Sequence, residues 1–114
     1  KVLGGGMRQA GVLASAALYA LRNHVSRLPN DHRKAAALAE AIADSRYTDE
    51  VMPVETNIVI FSLKPGMSGS EYVSKLREKG LLCTSFGGSR IRMVTHLDVS
   101  DAQTEHACRI IAEL

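Results

Sequence analysis

Hydrophobic and polar positions divide the chain into alternating helix and strand signals. From Ala10 to Leu21 only Gly11, Ser15 and Tyr19 interrupt a run of aliphatic residues. Alanine and leucine over that length predict a helix buried around most of its circumference. This first helix should end near Asn23–Ser26, before Leu28-Pro29. Asn30 is the expected N-cap of a second helix, with Asp31 in its first turn and a stripe of Ala35, Leu38, Ala39 and Ile42. That helix should close near Asp44-Ser45.

Glu50–Val54 reads as a short strand, demoted to an edge by Pro53. Asn57–Leu63 carries the strongest strand signal, and its nearly continuous apolar run suggests burial on both faces. Lys64-Pro65-Gly66 breaks it. Ser68 with Glu71 spells a capping box for a helix through Tyr72, Val73 and Leu76, ending at Gly80. Leu81–Thr84 and Arg90–Thr95 are two further strands around a turn at 85–89. Ser100 with Gln103 opens a last helix whose apolar face is Ala107, Ile110, Ile111 and Leu114. The expected class is α+β: a leading helix followed by a short sheet covered by helices.

Composition narrows the function classes. The 114 residues suit one hydrophobic core, 46% are apolar, and 14 basic against 12 acidic residues leave a net charge of +2. The basic residues are scattered, and two phenylalanines and three tyrosines offer little for base stacking, which argues against nucleic acid. Ala10–Leu21 is too short to span a bilayer, and no secretory signal stands out. Cys83 and Cys108 make no disulfide framework and fit reduced thiols in a cytoplasmic protein. Lys1 in place of a methionine, just before an apolar helix, suggests a piece of a larger protein or a domain packed against something else.

Two stretches carry candidate chemistry. Gly4-Gly5-Gly6 and Arg8 lead into the first helix, and a glycine-rich approach to a helix N-terminus with a nearby cation can attract an anion. A plain glycine linker with a solvated Arg8 is the alternative. In Arg90–His96, alternation sends Arg90, Arg92 and Val94 to one face and Ile91, Met93 and Thr95 to the other. With Ile91 and Met93 in the core, both arginines face solvent or another domain. A guanidinium on a rigid strand suits bidentate binding of a carboxylate, whereas an edge-strand charge against aggregation is the alternative. His24, His32 and His106 read as surface residues and His96 as a local backbone partner; no pair has metal-ligand spacing.

Lys1-Val-Leu-Gly-Gly-Gly-Met-Arg-Gln-Ala-Gly11 with the following Val-Leu-Ala, and Arg92-Met-Val-Thr-His-Leu-Asp-Val-Ser100, resemble two stretches of the C-terminal part of low-specificity L-threonine aldolases. The resemblance extends to Thr56-Asn57-Ile-Val and Gly80-Leu-Leu-Cys83, in family order. It implies the aminotransferase-like fold of pyridoxal-phosphate enzymes, with residues 1–28 as connection and interdomain helix and 29–114 as the C-terminal small domain. The lysine that carries the cofactor, and the groups that move protons, would lie in a preceding N-terminal domain. The segment alone should then be inactive and hold no catalytic residue or metal ligand.

By position, Arg92 resembles the arginine that binds the substrate's α-carboxylate. Arg8 and Lys1 resemble basic residues near the cofactor's phosphate end, in their own or a neighbouring subunit's site. The implied reaction is cleavage of L-threonine or L-allo-threonine to glycine and acetaldehyde by a cytoplasmic homotetramer, in threonine catabolism and glycine formation. The alternatives are another enzyme of this fold, a β-eliminating lyase or an aminotransferase, or a non-enzymatic carboxylate- or phosphate-binding module.

Overall fold

The computed structural model describes residues 4–114. Helix α1 (Gly11–Asn23) is followed by a 3-10 turn (Val25–Arg27) and helix α2 (Leu28–Ala43). Strands β1 (Thr48–Val51) and β2 (Ile58–Leu63) lead to α3 (Gly69–Glu78); β3 (Thr84–Ser85), β4 (Arg90–Val94) and α4 (Asp101–Ala112) complete the chain. The four strands form one antiparallel sheet in the order β1-β2-β4-β3. The α+β reading holds, and β4 sits inside the sheet, so the idea of an edge-strand charge at Arg90 is wrong in its geometry.

The core lies on one side of the sheet. Val59, Phe61, Leu63, Ile91 and Met93 form one cluster with Ala35, Leu38 and Ile42 of α2, Tyr72 and Leu76 of α3, and Ala107, Ile110 and Ile111 of α4. Phe61 meets Tyr72 edge to face with ring centroids 5.8 Å apart. The opposite face is not covered by any described helix: Ile58 and Val94 are exposed, and Ile60, Ser62 and Arg92 are half-buried. The expectation that β2 is buried on both faces therefore fails. Its apolar run continues onto an open face.

Local chemistry explains most element ends. Ser68 Oγ accepts from the Glu71 N–H, 3.2 Å, and the complete capping box forms at Ser100 and Gln103. Gly80, just past α3, takes φ +82°, the left-handed conformation that ends a helix cheaply only at glycine. Asn30 is not an N-cap, because α2 begins two residues earlier at Leu28 with Pro29 in its first turn, where the missing N–H costs nothing. Residues 81–83 do not join the sheet; β3 is only Thr84 and Ser85. Likewise β1 starts and ends earlier than Glu50–Val54, clear of Pro53.

Helix α1 forms where the apolar run predicts it, yet it buries no residue against the rest of the described chain. Val12, Leu13 and Leu21 are 74%, 62% and 67% exposed. So much aliphatic surface on one helix marks a face made for contact, not for water.

Candidate functional site

The alternation along β4 places its side chains as read: Ile91, Met93 and Thr95 go into the core, while Arg90, Arg92 and Val94 lie on the open face. Arg92 is paired with Ile60 on one side and Thr84 on the other, so strands flank its backbone on both sides. Its guanidinium carbon lies 5.7 Å from the centroid of the Phe86 ring. Its Nε is buried and finds no hydrogen-bond partner among the described residues. A guanidinium held on a strand with an N–H left without a partner is suited to a charged acceptor such as a carboxylate. Arg90, one pleat away on the same face, is exposed.

In the sequence Phe86 is legible only as part of a turn. Its place is set by backbone contacts: its N–H donates to the Arg90 carbonyl at 2.7 Å, and the Arg90 N–H donates to the Gly87 carbonyl at 3.0 Å. Gly87 and Gly88 take φ +84° and +58°, which makes the tight reversal possible. The turn is held from outside as well. The Leu63 N–H donates to the Ser89 carbonyl at 3.0 Å, and the Gly69 N–H to the Gly88 carbonyl at 3.3 Å.

A second group of charges anchors the other end of β4. Arg27 donates to both carboxylate oxygens of Asp31, 2.9 and 3.1 Å, and Lys34 Nζ lies 3.8 Å from the same carboxylate while donating to the Val99 carbonyl. Asp31 and Lys34 are buried, a cluster that the polar appearance of this helix start does not announce. The Thr95 hydroxyl donates to the Asp31 carbonyl at 2.7 Å, tying the residue after β4 to the first turn of α2. Thus β4 is fixed at both ends, and Arg92 stands between.

Arg8 is exposed in the turn before α1, and no side chain caps the first N–H groups of that helix. No hydrogen bond or ion pair among the described residues joins Arg8 to β4, so the two arginines are not brought into one site within this chain. Lys1 lies outside the described residues. His32, His96 and His106 are exposed, and His96 Nδ1 accepts from the Asp98 N–H at 3.3 Å, the local backbone role expected for it. His24 is half-buried and packs edge to face on Tyr19. No cluster of metal ligands occurs among the described residues, and none of their helices is long and apolar enough to cross a membrane.

A cavity of about 460 Å³ is lined by Leu38, Leu81, Met93, Val99 and Ala107 among others. Arg92 does not line it. Cys83 is half-buried, and burial pushes its thiol up to about 11, which leaves it neutral and unreactive near neutrality.

This geometry, a one-sided small sheet preceded by an unpartnered apolar helix, is the aminotransferase-like fold. Over 92% of its length the chain superposes on 29% of a cystine C–S lyase, C-DES, in complex with cysteine persulfide, with a TM-score of 0.68 at 15% identity. It also superposes over 77% of its length on 22% of ornithine aminotransferase from Toxoplasma gondii ME49, with a TM-score of 0.64 at 17% identity. Residues 1–65 match the beta-eliminating lyase family, and the chain belongs to that family.

In sequence it is 41% identical over 109 residues to probable low-specificity L-threonine aldolase 2 of Arabidopsis thaliana, covering 93% of this chain and 31% of that protein. It is 40% identical over 105 residues to the low specificity L-threonine aldolase of Escherichia coli O157:H7, covering 90% of this chain and 29% of that one. The chain thus spans less than a third of the length of either relative.

Proposed function

We propose that this chain is the C-terminal part of a pyridoxal-phosphate-dependent aldolase that cleaves L-threonine or L-allo-threonine to glycine and acetaldehyde, and that Arg92 binds the substrate's α-carboxylate. One observation carries the reading: a guanidinium fixed on an inner strand, facing an open sheet surface, with a buried and unpartnered Nε among the described residues. The identity to two proteins named as threonine aldolases supports the substrate class.

In this reading the fork of Arg92 makes two parallel charge-assisted bonds to the carboxylate and so fixes the rotation of the amino acid about its Cα. That orientation decides which bond at Cα is presented for cleavage. Arg90, exposed beside it, leaves the carboxylate alone. Pyridoxal phosphate, when bound, supplies the electron sink for breaking Cα–Cβ. The described residues fit only its phosphate end. Arg8 and the uncapped first turn of α1 offer a cation and free N–H donors, and Lys1 is assigned the same neighbourhood. Lys34 and Lys64 are engaged with the carbonyls of Val99 and Arg46. The lysine that carries the cofactor and the groups that move protons are assigned to a preceding domain, and residues 1–114 alone are inactive.

The division is residues 1–28 as connection and interdomain helix and 29–114 as small domain. The exposed aliphatic face of α1 is covered by that preceding domain or by a second subunit of a cytoplasmic homotetramer. The test is acetaldehyde release from L-threonine by the complete polypeptide loaded with pyridoxal phosphate. Turnover with glycine as co-product supports the proposal. Elimination from substrates with a leaving group on Cβ, or amino transfer, without aldol cleavage would replace it with another activity of the fold.

A further inference from the structure

We infer that Phe86 is a positioning residue for Arg92: its ring covers one side of the guanidinium and holds the fork in the plane in which it receives a carboxylate. The inference rests on the reading of Arg92 as the carboxylate anchor and names a residue that acts through it. Phe86 is 51% exposed, although an aromatic ring in a five-residue turn gains little from standing half in water. The ring faces the guanidinium of Arg92, at 5.7 Å from centroid to Cζ, within the range of a cation–π contact.

The backbone of the turn that carries the ring is held in place. Two successive glycines at positive φ close it, and it is braced from two elements that are not part of the hairpin. The Leu63 N–H at the end of β2 holds the Ser89 carbonyl, and the Gly69 N–H at the start of α3 holds the Gly88 carbonyl. Contact at Gly69 is so close that an added Cβ would stand 2.7 Å from Ser85 Oγ and 2.8 Å from the Gly88 oxygen. Helix α3 therefore presses directly on the turn that carries Phe86.

The physical effect is twofold. An arginine side chain has several rotatable bonds, and the ring removes orientations in which the fork points away from the face. The ring also shields one side of the guanidinium from water, which strengthens the bonds that its edge makes to a carboxylate. Neither effect touches a ligand that lacks the carboxylate.

The test uses the complete polypeptide loaded with pyridoxal phosphate and compares calorimetric binding of glycine with that of glycinamide, which keeps the amine and lacks the carboxylate. Phe86→Leu should weaken glycine binding by about 3- to 30-fold, the range of a partly desolvated cation–π contact. Glycinamide binding should stay within about 2-fold, and Phe86→Tyr should restore glycine binding, because the ring is what matters. In an Arg92→Ala background, Phe86→Leu should change nothing further. A second readout needs no ligand: the Arg92 Nε–H resonance should shift when Phe86 becomes Leu, since the ring current is lost.

Equal weakening of both ligands, an equal effect in the Arg92→Ala background, or an unmoved Nε–H resonance would overturn the inference. If Arg92→Ala weakens glycine binding and Phe86→Leu does not, the inference falls and the anchor stands. If Arg92→Ala leaves glycine binding intact, the anchor falls and takes the inference with it.

Discussion

Replacing Asp31 by alanine should be the most destabilising single change among the charged residues of this chain. The carboxylate is 5% exposed, accepts two bonds from Arg27 at 2.9 and 3.1 Å, and lies 3.8 Å from Lys34 Nζ. Removing one member of a buried ion pair costs about 3–5 kcal/mol, because the partner charge is left without compensation. Two features of the cluster moderate that figure. The Arg27 side chain is 21% exposed and can turn part of its charge to water, and Lys34 keeps the Val99 carbonyl. The expected loss is about 2–4 kcal/mol.

A built-in control is the pair Arg33–Asp101, also drawn at 3.1 Å but with both side chains more than 60% exposed. Arg33→Ala should cost no more than about 0.5 kcal/mol. Urea denaturation followed by circular dichroism measures both, and hydrogen exchange at the Thr95 amide, which donates to the Asn57 carbonyl at 2.9 Å, reports the same loss locally. Equal losses in the two variants, or an Asp31→Ala loss below about 0.5 kcal/mol, would refute the view that burial makes this cluster matter.

Gly69→Ala should cost about 1–3 kcal/mol by overpacking against the Gly88 carbonyl, a backbone atom that cannot swing aside, and should raise exchange at the Arg90 amide. Thr95→Val should lose about 1–2 kcal/mol, because it removes the hydroxyl that donates to the Asp31 carbonyl; thermal unfolding checks it. Cys83, its thiol pushed up to about 11 by burial, should alkylate slowly at pH 8 and faster as pH rises towards that value. The sign of the linked stability follows. A raised folded value means the contribution is fully present below the ordinary value of 9.0 and is lost as pH rises through about 11, which a Cys83→Ala comparison of stability against pH would detect.

Strand β4 and helix α4 are readable in the sequence because each obeys a single period. Arg90–Val94 alternates cleanly, and the Ser100–Gln103 box sits next to an apolar stripe of period 3.6. The alternation alone therefore assigns Arg92 its face. Local pattern misleads where tertiary context diverges from it. The apolar run of β2 cannot tell two covered faces from one, since the open face happens to carry Ile58 and Ile60. Strand order is a non-local property, so nothing in residues 90–95 says that β3 and β2 flank them. Pro29 looks like a helix boundary, although the first turn of a helix tolerates it. Phe86 and the buried Asp31–Lys34 pair escape local pattern because their partners lie elsewhere: Arg92 for one, Val99 and Thr95 for the other.

The most direct measurement is kcat/KM for L-threonine in the complete, cofactor-loaded polypeptide with Arg92→Ala, Arg92→Lys and Arg90→Ala. Cofactor occupancy is checked by absorbance, so that a loss in turnover is not mistaken for a loss of the loaded form. Arg92→Ala should cost about 2–5 kcal/mol of transition-state stabilisation, and Arg92→Lys should recover little, because a point charge cannot reproduce the planar fork. Arg90→Ala, which removes an exposed side chain one pleat away, should stay within about 0.5 kcal/mol of the parent. Near-normal turnover in Arg92→Ala, or a larger loss in Arg90→Ala, would contradict the assignment of the carboxylate to Arg92.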